Sequence, residues 1–154
     1  MKVLGLDLAT NTGWCIVDGG RYIKSGCKSF KKKRGDSNGI MFLKFRKWLV
    51  ELCTKENVEL ITYEQAHFRG GYATEICVGL QTHAQGVAAE IDVPSYGIET
   101  KTLKLKATGK GGASKKIMIG AASKWTGKDI TSDDEADAIL LARYGYEDLN
   151  PIIE

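Results

Sequence analysis

The sequence predicts one α/β domain over residues 1–154, with a mixed five-stranded sheet flanked by helices. Three observations support this fold class. Segments of strand character alternate with segments of helical periodicity in the order βββαβαβαα, which joins an antiparallel meander to strands reached through helical crossovers. A length of 154 residues suits one domain with its own core, not two large ones. With 43% hydrophobic and 27% charged residues, the composition is globular rather than disordered or fibrous.

The first three strands are predicted from short apolar runs bounded by turns. Residues 2–8 form a buried strand. Residues 12–18 and 21–29 flank Gly19-Gly20, a pair typical of a tight hairpin turn. The basic segment after this hairpin is predicted to be a loop.

The next two elements are a helix and a strand. Residues 40–56 have apolar side chains at helical spacing and a polar opposite face. The residues expected to face inward are Ile40, Leu43, Trp48, Leu49 and Leu52. An apolar run at 58–63 then predicts a strand that ends at Glu64.

Residues 72–91 predict a second helix and 94–98 a short strand. The helix is expected to turn Ile76, Leu80, Val87 and Ile91 inward, and its small residues permit close packing. Pro94 is tolerated as the first residue of a strand or at an edge. We expect this helix to form the contact between two copies of the chain.

The remaining chain predicts two more helices. A stretch rich in lysine and glycine, Thr100 to Gly112, leads to a helix near 113–125. The last helix is predicted to begin after Ser132 and to run to about Tyr146. Ser132, followed three residues later by Glu135, has the form of a capping box.

The sequence argues against secretion, membrane insertion and a zinc finger. No apolar run approaches the roughly 18 residues of a membrane helix, and the start MKVLGLDLAT lacks the long apolar core of a secretory signal. We therefore expect a cytoplasmic protein. The 4 cysteines include no C-x-x-C pair and there are only 2 histidines, which excludes a zinc finger and argues against a disulfide framework.

The charge is strongly segregated along the chain, although the net charge is only +3. Residues 21–50 hold ten Lys/Arg against one acid, and residues 101–128 hold eight lysines and no acid. Residues 129–154 reverse this, with eight acids against one arginine. Such a local field favours a polyanion such as nucleic acid as partner. Solvated surface and an acidic tail are the alternative explanation.

Four acids lie where an apolar core would not require them. Asp7 and Glu64 follow buried runs, and ligands gather beyond the carboxyl ends of strands in open α/β sheets. Asp134 and Asp137 are three residues apart on the last predicted helix and so share one face. If this helix crosses the carboxyl end of the sheet, all four side chains converge.

Converging carboxylates point to a divalent metal. Carboxylates held close together repel one another and resist ionisation, and a hard cation bound through oxygen relieves that repulsion. Two Mg²⁺ ions roughly 3.5–4 Å apart would activate a water and stabilise the leaving oxygen of a phosphodiester.

Each acid also has a structural explanation. Asp7 can serve as a turn residue and Glu64 as a surface acid. Acids in the first turn of the last helix favour the helix dipole. That explanation does less for Asp137, which lies beyond the first residues and adjoins an apolar run, where a carboxylate needs a partner.

Four motifs occur in a fixed order from residue 3 to about residue 145. They are Gly5-x-Asp7 followed by Thr12-Gly13-Trp14; Tyr63-Glu64-Gln65; Lys104-x-x-x-x-Gly109-x-Gly111-x-Ala113-x-Lys115; and Asp134-x-Ala136-Asp137-Ala138. Taken together, the motifs resemble those of RuvC-type Holliday junction resolvases. Two departures are Glu135, which replaces an alanine of the final motif, and the loop after Glu64, which does not reproduce the usual pattern. The short length and unusual flanks suggest a divergent, phage-encoded member, which would act in the cytoplasm of the host cell.

The resemblance implies a ribonuclease-H-like fold and a homodimeric crossover junction endodeoxyribonuclease. Such an enzyme resolves four-way DNA junctions by paired symmetric nicks in DNA recombination and repair. By the same resemblance, the metal-binding quartet comprises Asp7, Glu64, Asp134 and Asp137. It implies two Mg²⁺ ions per active site, with Mn²⁺ also supporting activity, and it makes Lys104 and Lys115 catalytic phosphate contacts.

Further DNA contacts are expected from basic and aromatic residues in loops. The expected set comprises Lys31, Lys32, Lys33, Phe68, Arg69, Tyr72, Lys104, Lys110 and Lys115. In the family an aromatic of the loop after the second acid stacks on an unpaired base, and Phe68 and Tyr72 are the candidates here. The alternatives are a solvated loop for the lysines and a packed aromatic for the other two.

Three functions are compatible with these features. The leading hypothesis is a metal-dependent, structure-selective endonuclease acting on branched DNA. The second is a branched-DNA binding module without cleavage. The third is a ribonuclease-H-like nuclease acting on RNA or RNA–DNA hybrids. We expect no membrane partner and no small-molecule cofactor.

Overall fold

The computed structural model describes residues 1–149, so residues 150–154 of the predicted domain lie outside the described residues. Its centre is a five-stranded sheet in the order β3-β2-β1-β4-β5. The strands are β1 (Lys2–Asp7), β2 (Asn11–Asp18), β3 (Arg21–Ser29), β4 (Leu60–Glu64) and β5 (Ser95–Ile98). The predicted α/β class with a mixed five-stranded sheet is confirmed.

Five α-helices lie on the two faces of this sheet within residues 1–149. They are α1 (Asn38–Glu56), α2 (Gly71–Glu90), α3 (Thr100–Thr108), α4 (Lys115–Thr126) and α5 (Asp133–Tyr144), and a π-helical segment, Gly145–Leu149, follows. Across the described residues, none of these helices is both long and apolar enough to cross a lipid bilayer.

The sheet combines an antiparallel meander with parallel strands, as predicted. β1 and β2 pair antiparallel, and so do β2 and β3. β4 pairs parallel with β1 on one side and with β5 on the other. The carboxyl ends of these three parallel strands therefore lie at one edge of the sheet, which we call the carboxyl edge.

Alternation along the strands supplies two cores, one on each face. Leu4 and Leu6 pack with α1 and α2 in one core. Val3, on the opposite face of β1, packs with α3, α4 and α5 in the other. Successive side chains of a strand point to opposite faces, so an apolar run such as that of β1 is buried on both sides.

Side-chain caps fix where the helices begin. Ser37 and Ser114 accept hydrogen bonds from backbone N–H groups in the first turns of α1 and α4. Ser132 accepts from the backbone N–H of Glu135 at the start of α5, so the serine half of the predicted capping box is confirmed. The Glu135 side chain instead accepts from the hydroxyl of Ser25 on β3, at 3.2 Å.

No helix is predicted within the stretch from Thr100 to Gly112, but the structure contains one. Residues Thr100–Thr108 form α3, which ends at Gly109 in the left-handed region with φ +80°. Only Leu103 in this helix is buried. A single buried residue gives no 3.6-residue periodicity, so the sequence pattern carries no helical signal here.

Helix α1 is rotated relative to the predicted inward face. Its buried residues are Met41, Phe45, Leu49 and Cys53, so the prediction is confirmed for Leu49 but is wrong for Ile40 and Leu43, which are exposed. Both stripes satisfy helical spacing, and the sequence alone does not tell which one meets the sheet. The error matters because it changes which α1 residues face solvent.

The small residues of α2 serve contacts within the chain. Ala84 and Ala88 are buried in the core that α2 shares with α1 and the sheet. A Cβ on Gly79 would overlap the ring of Phe42 on α1. The small residues cited for the contact between two copies are thus largely used within one chain, and any such contact must involve the outer face of α2.

Candidate metal centre and nucleic-acid interface

Parallel pairing of β1 and β4 brings two acids to the carboxyl edge. Leu6 pairs with Tyr63, and Asp7 and Glu64 are the next residues of each strand. Asp7 shares its sheet face with Gly5, against which α5 packs. Both strands therefore end with a carboxylate at the edge over which α5 begins.

Close seating of α5 on the sheet adds two more acids. Gly13 lies opposite Asp7 in the β1–β2 pair, and a Cβ at Gly13 would overlap the backbone carbonyl of Asp134. Further along the helix, the buried Thr62 hydroxyl donates to the carbonyl oxygen of Leu141 at 2.8 Å. The absence of a side chain at Gly13 and the hydrogen bond from Thr62 thus hold α5 against the sheet, with its first turn over the carboxyl edge.

Three of the four predicted acids form a tight cluster. Asp7, Glu64 and Asp137 each offer a ligand atom, and these atoms lie within 4.8 Å of one another. Asp134 lies beside this cluster, close enough to contribute to the raised pKa of Asp7. The amide of Asn11 donates to Asp134 Oδ2 at 3.2 Å. All four acids therefore meet at one place, although they come from three elements that are distant in sequence.

The acids perturb one another strongly. Burial raises the pKa of Asp7 to about 9, and the charges of Asp137 and Glu64 add to the effect. Burial likewise raises the pKa of Asp137 to about 7, with the Glu64 carboxylate the next cause. Neutral carboxyl groups at pH 7 are the response of a buried acidic cluster that lacks a compensating cation.

Two predicted lysines lie near the acids but do not neutralise the cluster. Lys104 on α3 lowers the pKa of Asp137, yet its effect is smaller than those of burial and the neighbouring acids. Lys115, the first residue of α4, is 3.3 Å from Asp133 Oδ2, and its side chain is 84% exposed. Lys115 is therefore paired with an acid outside the cluster, while the acids in the centre keep their mutual repulsion.

The donor set fits a hard divalent cation. The cluster is made of carboxylate oxygens only, which suits Mg²⁺ or Mn²⁺ rather than a soft metal. A bound cation would favour the ionised carboxylates and remove the repulsion that raises the pKa of Asp7. The chemistry of these residues thus agrees with the predicted metal centre.

A cavity of about 340 Å³ adjoins the acids on the side of α2. It is lined by Asp7, Leu8, Ala9, Glu64, Gln65, Ala66, His67, Arg69, Ala73, Thr74 and Cys77. Burial raises the pKa of the Cys77 thiol, and the charges of Asp7 and Glu64 contribute. His67, whose ring Nε2 is 2.8 Å from the Thr100 hydroxyl, links the loop after β4 to α3.

The predicted basic loop reaches the same edge of the sheet. The backbone N–H of Phe30, just after β3, donates to the carbonyl of Thr10 in the turn after β1. The ammonium of Lys32 lies 5.6 Å from the centroid of the Tyr72 ring, and the Tyr72 hydroxyl donates to Asn38 at 3.3 Å. The loop containing Lys31, Lys32 and Lys33 is thus adjacent to the first turn of α2.

Aromatic and basic side chains of the other predicted loops point to solvent. Phe68 is 82% exposed and Tyr72 is 55% exposed. Arg69 lines the cavity beside the acids. Lys110 is exposed in the turn after α3, with no contact to the acid cluster among the described residues. Phe68 is the more exposed candidate for stacking, whereas Tyr72 is already engaged by Lys32 and Asn38.

Two residues of the site were not identified from the sequence. Asn11 orients Asp134 through its amide, and Cys77 lines the cavity beside Asp7 and Glu64. The β1–β2 register that places Asn11 near Asp134 is a tertiary property. Cys77 belongs to the site because it lies on the face of α2 nearest the acids, and the sequence pattern does not show which face that is.

No protein-family model matches the chain, and a comparison with curated proteins finds no match. Solved structures do match. RuvC of Thermus thermophilus has a TM-score of 0.78 at 18% identity, with 95% of this chain and 93% of that chain covered. The same protein in complex with a Holliday junction substrate gives 0.81 at 19% identity, with the same coverage. The yeast mitochondrial Holliday junction resolvase Ydc2 gives 0.58 at 18% identity, covering 92% of this chain and 77% of that chain.

These likenesses establish a shared fold. The five-stranded mixed sheet with helices on both faces is the architecture of the RuvC structures, and the match extends over 95% of this chain. The ribonuclease-H-like fold that the sequence motifs implied is therefore confirmed. At 18–19% identity the likeness concerns the fold.

Proposed function

We propose that this chain is a metal-dependent, structure-selective DNA endonuclease that resolves four-way junctions, and other branched DNA, by paired symmetric nicks. The observation that carries the proposal is the cluster of Asp7, Glu64 and Asp137, with ligand atoms within 4.8 Å of one another, on the fold of junction resolvases. It lies beside basic and aromatic loops suited to a phosphate backbone and an unpaired base.

In this proposal the metal ligands are Asp7, Glu64 and Asp137, with Asp134 completing the set. They would hold two divalent ions, Mg²⁺ or Mn²⁺. When bound, such ions supply a nucleophilic water and stabilise the charge on the phosphodiester. Asn11 fixes the orientation of Asp134 through its amide.

Lysines at the rim would position the scissile phosphate. Lys104 lies close enough to Asp137 to lower its pKa, so its ammonium also lies near the reacting phosphate. Lys115 at the start of α4 is exposed and pairs with Asp133, the residue before Asp134. A lysine ammonium at this place offsets negative charge that develops in the transition state.

The remaining predicted residues would hold the branched DNA. Lys31, Lys32, Lys33, Arg69 and Lys110 are assigned to phosphates. Phe68, exposed on the loop after β4, is assigned to an unpaired base, where stacking is worth ~1–3 kcal/mol. Paired nicks need two active sites related by a two-fold axis, so the active form is a homodimer.

The direct test is cleavage of a synthetic four-way junction with Mg²⁺ or Mn²⁺. Wild-type protein is expected to nick two opposite strands at symmetric positions. Asp7→Asn removes a metal ligand and is expected to abolish nicking while junction binding is retained. Asp129→Asn, which changes an exposed acid outside the cluster, serves as the matched control and is expected to cleave normally.

Other outcomes would favour the other hypotheses. Binding of the junction without cleavage at any divalent metal concentration would indicate a DNA-binding module. Faster cleavage of an RNA–DNA hybrid than of the junction would indicate a ribonuclease. Unchanged cleavage by Asp7→Asn would refute the assignment of the metal centre.

A further inference from the structure

A groove of about 300 Å³ lies between the edge strand β3 and helix α1, outside the site described above. Three lysines line it: Lys28 from β3, and Lys44 and Lys47 from α1. Trp48 and Phe30 form part of its wall, with ring centroids 5.4 Å apart. The groove thus combines two aromatic side chains that pack against each other with three lysine side chains.

These lysines are not engaged within the chain. Across residues 1–149, Lys28, Lys44 and Lys47 form no ion pair. By contrast, Lys24 on the same strand pairs with Glu56, and Arg46 on the same helix pairs with Glu90. One acid, Glu51, also lines the groove, so its formal charge is +2 from three lysines and one glutamate.

The groove begins near the proposed active site. Strand β3 ends at Ser29, which pairs with Asn11, the residue whose amide contacts Asp134. Lys44 and Lys47 lie ~9 and ~14 Å along the axis of α1 from its first residue, Asn38. At a rise of ~3.4 Å per base pair, the length of α1 from Asn38 to Lys47 spans roughly four base pairs of duplex.

We propose that this groove binds the phosphate backbone of a duplex arm, a few base pairs from the point of cleavage. The inference rests on the proposed function, because it takes its partner to be branched DNA. The basic loop containing Lys31, Lys32 and Lys33 joins β3 to α1, the two elements that line the groove, so one strand can follow basic side chains from this loop into the groove. Lysine ammonium groups contact phosphates without reading bases, so this binding is independent of sequence.

The test compares two triple variants with the same loss of charge. The first replaces the groove lysines: Lys28→Gln, Lys44→Gln and Lys47→Gln. The control replaces Lys55, Lys124 and Lys128 by Gln; these are exposed lysines without ion pairs within residues 1–149. Binding to a four-way junction and to a linear duplex of the same arm length is measured by fluorescence anisotropy in EDTA, over a range of salt concentrations.

The groove variant is expected to bind both DNAs at least tenfold more weakly than wild type at low salt. The slope of log K against log salt should fall by about 2 to 3, since each phosphate contact contributes about 0.9. The control variant should keep most of the wild-type slope. Thermal unfolding of both triple variants verifies that they are folded. The single variant Lys44→Glu, on the exposed side of α1, is measured in the same binding assay and should also bind both DNAs more weakly.

The outcomes separate the two proposals. If wild type cleaves junctions but the groove and control variants bind alike, the groove assignment is overturned and the proposed function stands. If wild type cleaves no branched DNA while the groove variant still weakens duplex binding, the groove stands and the function fails. Absence of any DNA binding by wild type would overturn both.

Discussion

Asp7 shows at the scale of one residue how the proposed function conflicts with stability. Its carboxyl is buried among three other acids, an arrangement that no core packing requires. Burial and repulsion raise its pKa to about 9, from an ordinary value of 3.8. Without a bound cation, this side chain therefore lowers the free energy of unfolding near neutral pH.

The sign of the pH dependence follows from the pKa of Asp7. Between about pH 4 and pH 9 the folded metal-free protein keeps a proton that the unfolded chain releases. The contribution of protonated Asp7 to the free energy of unfolding is thus fully present below about pH 4, and it is lost as pH rises towards 9. Asp137, with a pKa raised to about 7, acts in the same direction.

We therefore predict that Asp7→Asn stabilises the metal-free protein at pH 8. The expected gain in the free energy of unfolding is roughly 0.5–2 kcal/mol, typical of a functional residue held at the expense of stability. The measurement is urea unfolding in EDTA at pH 5 and pH 8, with Asp129→Asn as the control. The difference between wild type and Asp7→Asn should shrink on adding Mg²⁺, because only wild type keeps all its ligands. A less stable Asp7→Asn at pH 8 would contradict this account.

At the scale of elements, the site depends on how closely α5 approaches the sheet. Gly13 on β2 leaves room for the backbone of Asp134, and Gly5 on β1 leaves room for that of Ala138. The motifs Gly5-x-Asp7 and Thr12-Gly13 thus have a packing role as well as a chemical one. Their glycines let the helix sit near enough for its acids to meet those of the strands.

We predict that Gly13→Ala impairs both stability and cleavage. The added methyl group would overlap the carbonyl of Asp134 and displace the first turn of α5. Overpacking of this kind costs typically 1–3 kcal/mol, and a displacement of about 1 Å at a catalytic group costs roughly 10²-fold in rate. Thermal unfolding and the rate of junction nicking measure the two effects.

Gly120→Ala is the control for this substitution. Gly120 lies within α4, and a Cβ there meets nothing within 4 Å. Alanine in an open helical position is expected to stabilise by roughly 0.5–1 kcal/mol without changing the nicking rate. Normal cleavage by Gly13→Ala would show that the close contact is not needed to align the acids.

The parts of the fold that could be predicted are those governed by local pattern. The apolar runs correctly predicted β1 and β4 as strands that each end in an acid, and their parallel pairing places Asp7 and Glu64 at one edge. The capping serine Ser132 correctly located the start of α5. These signals lie within a few residues of one another, so one sequence suffices to read them.

The errors concern contacts between elements. Helix α3 buries only Leu103, and α1 turns Phe45 rather than Leu43 to the sheet. The contribution of Asn11 to the site depends on the register of β2 against β1 and on the seat of α5. Such contacts join residues that are far apart in the sequence. They produce no local periodicity, so they could not be predicted from the sequence pattern.

For the whole molecule, the distribution of charge agrees with the distribution of proposed roles. Several cations away from the carboxyl edge are paired, as Lys24 is with Glu56 and Lys106 with Asp148. The loop at Lys31, Lys32 and Lys33 forms no ion pair within residues 1–149. This loop therefore presents unpaired positive charge where a polyanion would approach the acid cluster.

The proposed paired incision requires a contact between two copies, for which the outer face of α2 is the candidate. The buried side of this helix, including Leu80 and Ala84, is used within the chain. Thr82, Gln85 and Ala89 are exposed at helical spacing on the opposite side. This uncharged face is where we expect two copies to meet.

We predict that Thr82→Arg converts the proposed dimer into monomers. Two arginines brought together by a two-fold axis would repel each other and add bulk at the contact. Analytical ultracentrifugation at micromolar concentration should show half the wild-type mass, and nicking of a four-way junction in a supercoiled plasmid should become uncoupled, with singly nicked product accumulating. Thr54→Arg makes the same change at an exposed position on α1 and should leave both mass and coupling unaltered. A wild-type protein that sediments as a monomer on junction DNA, yet still makes paired nicks, would show that symmetric incision does not depend on this face.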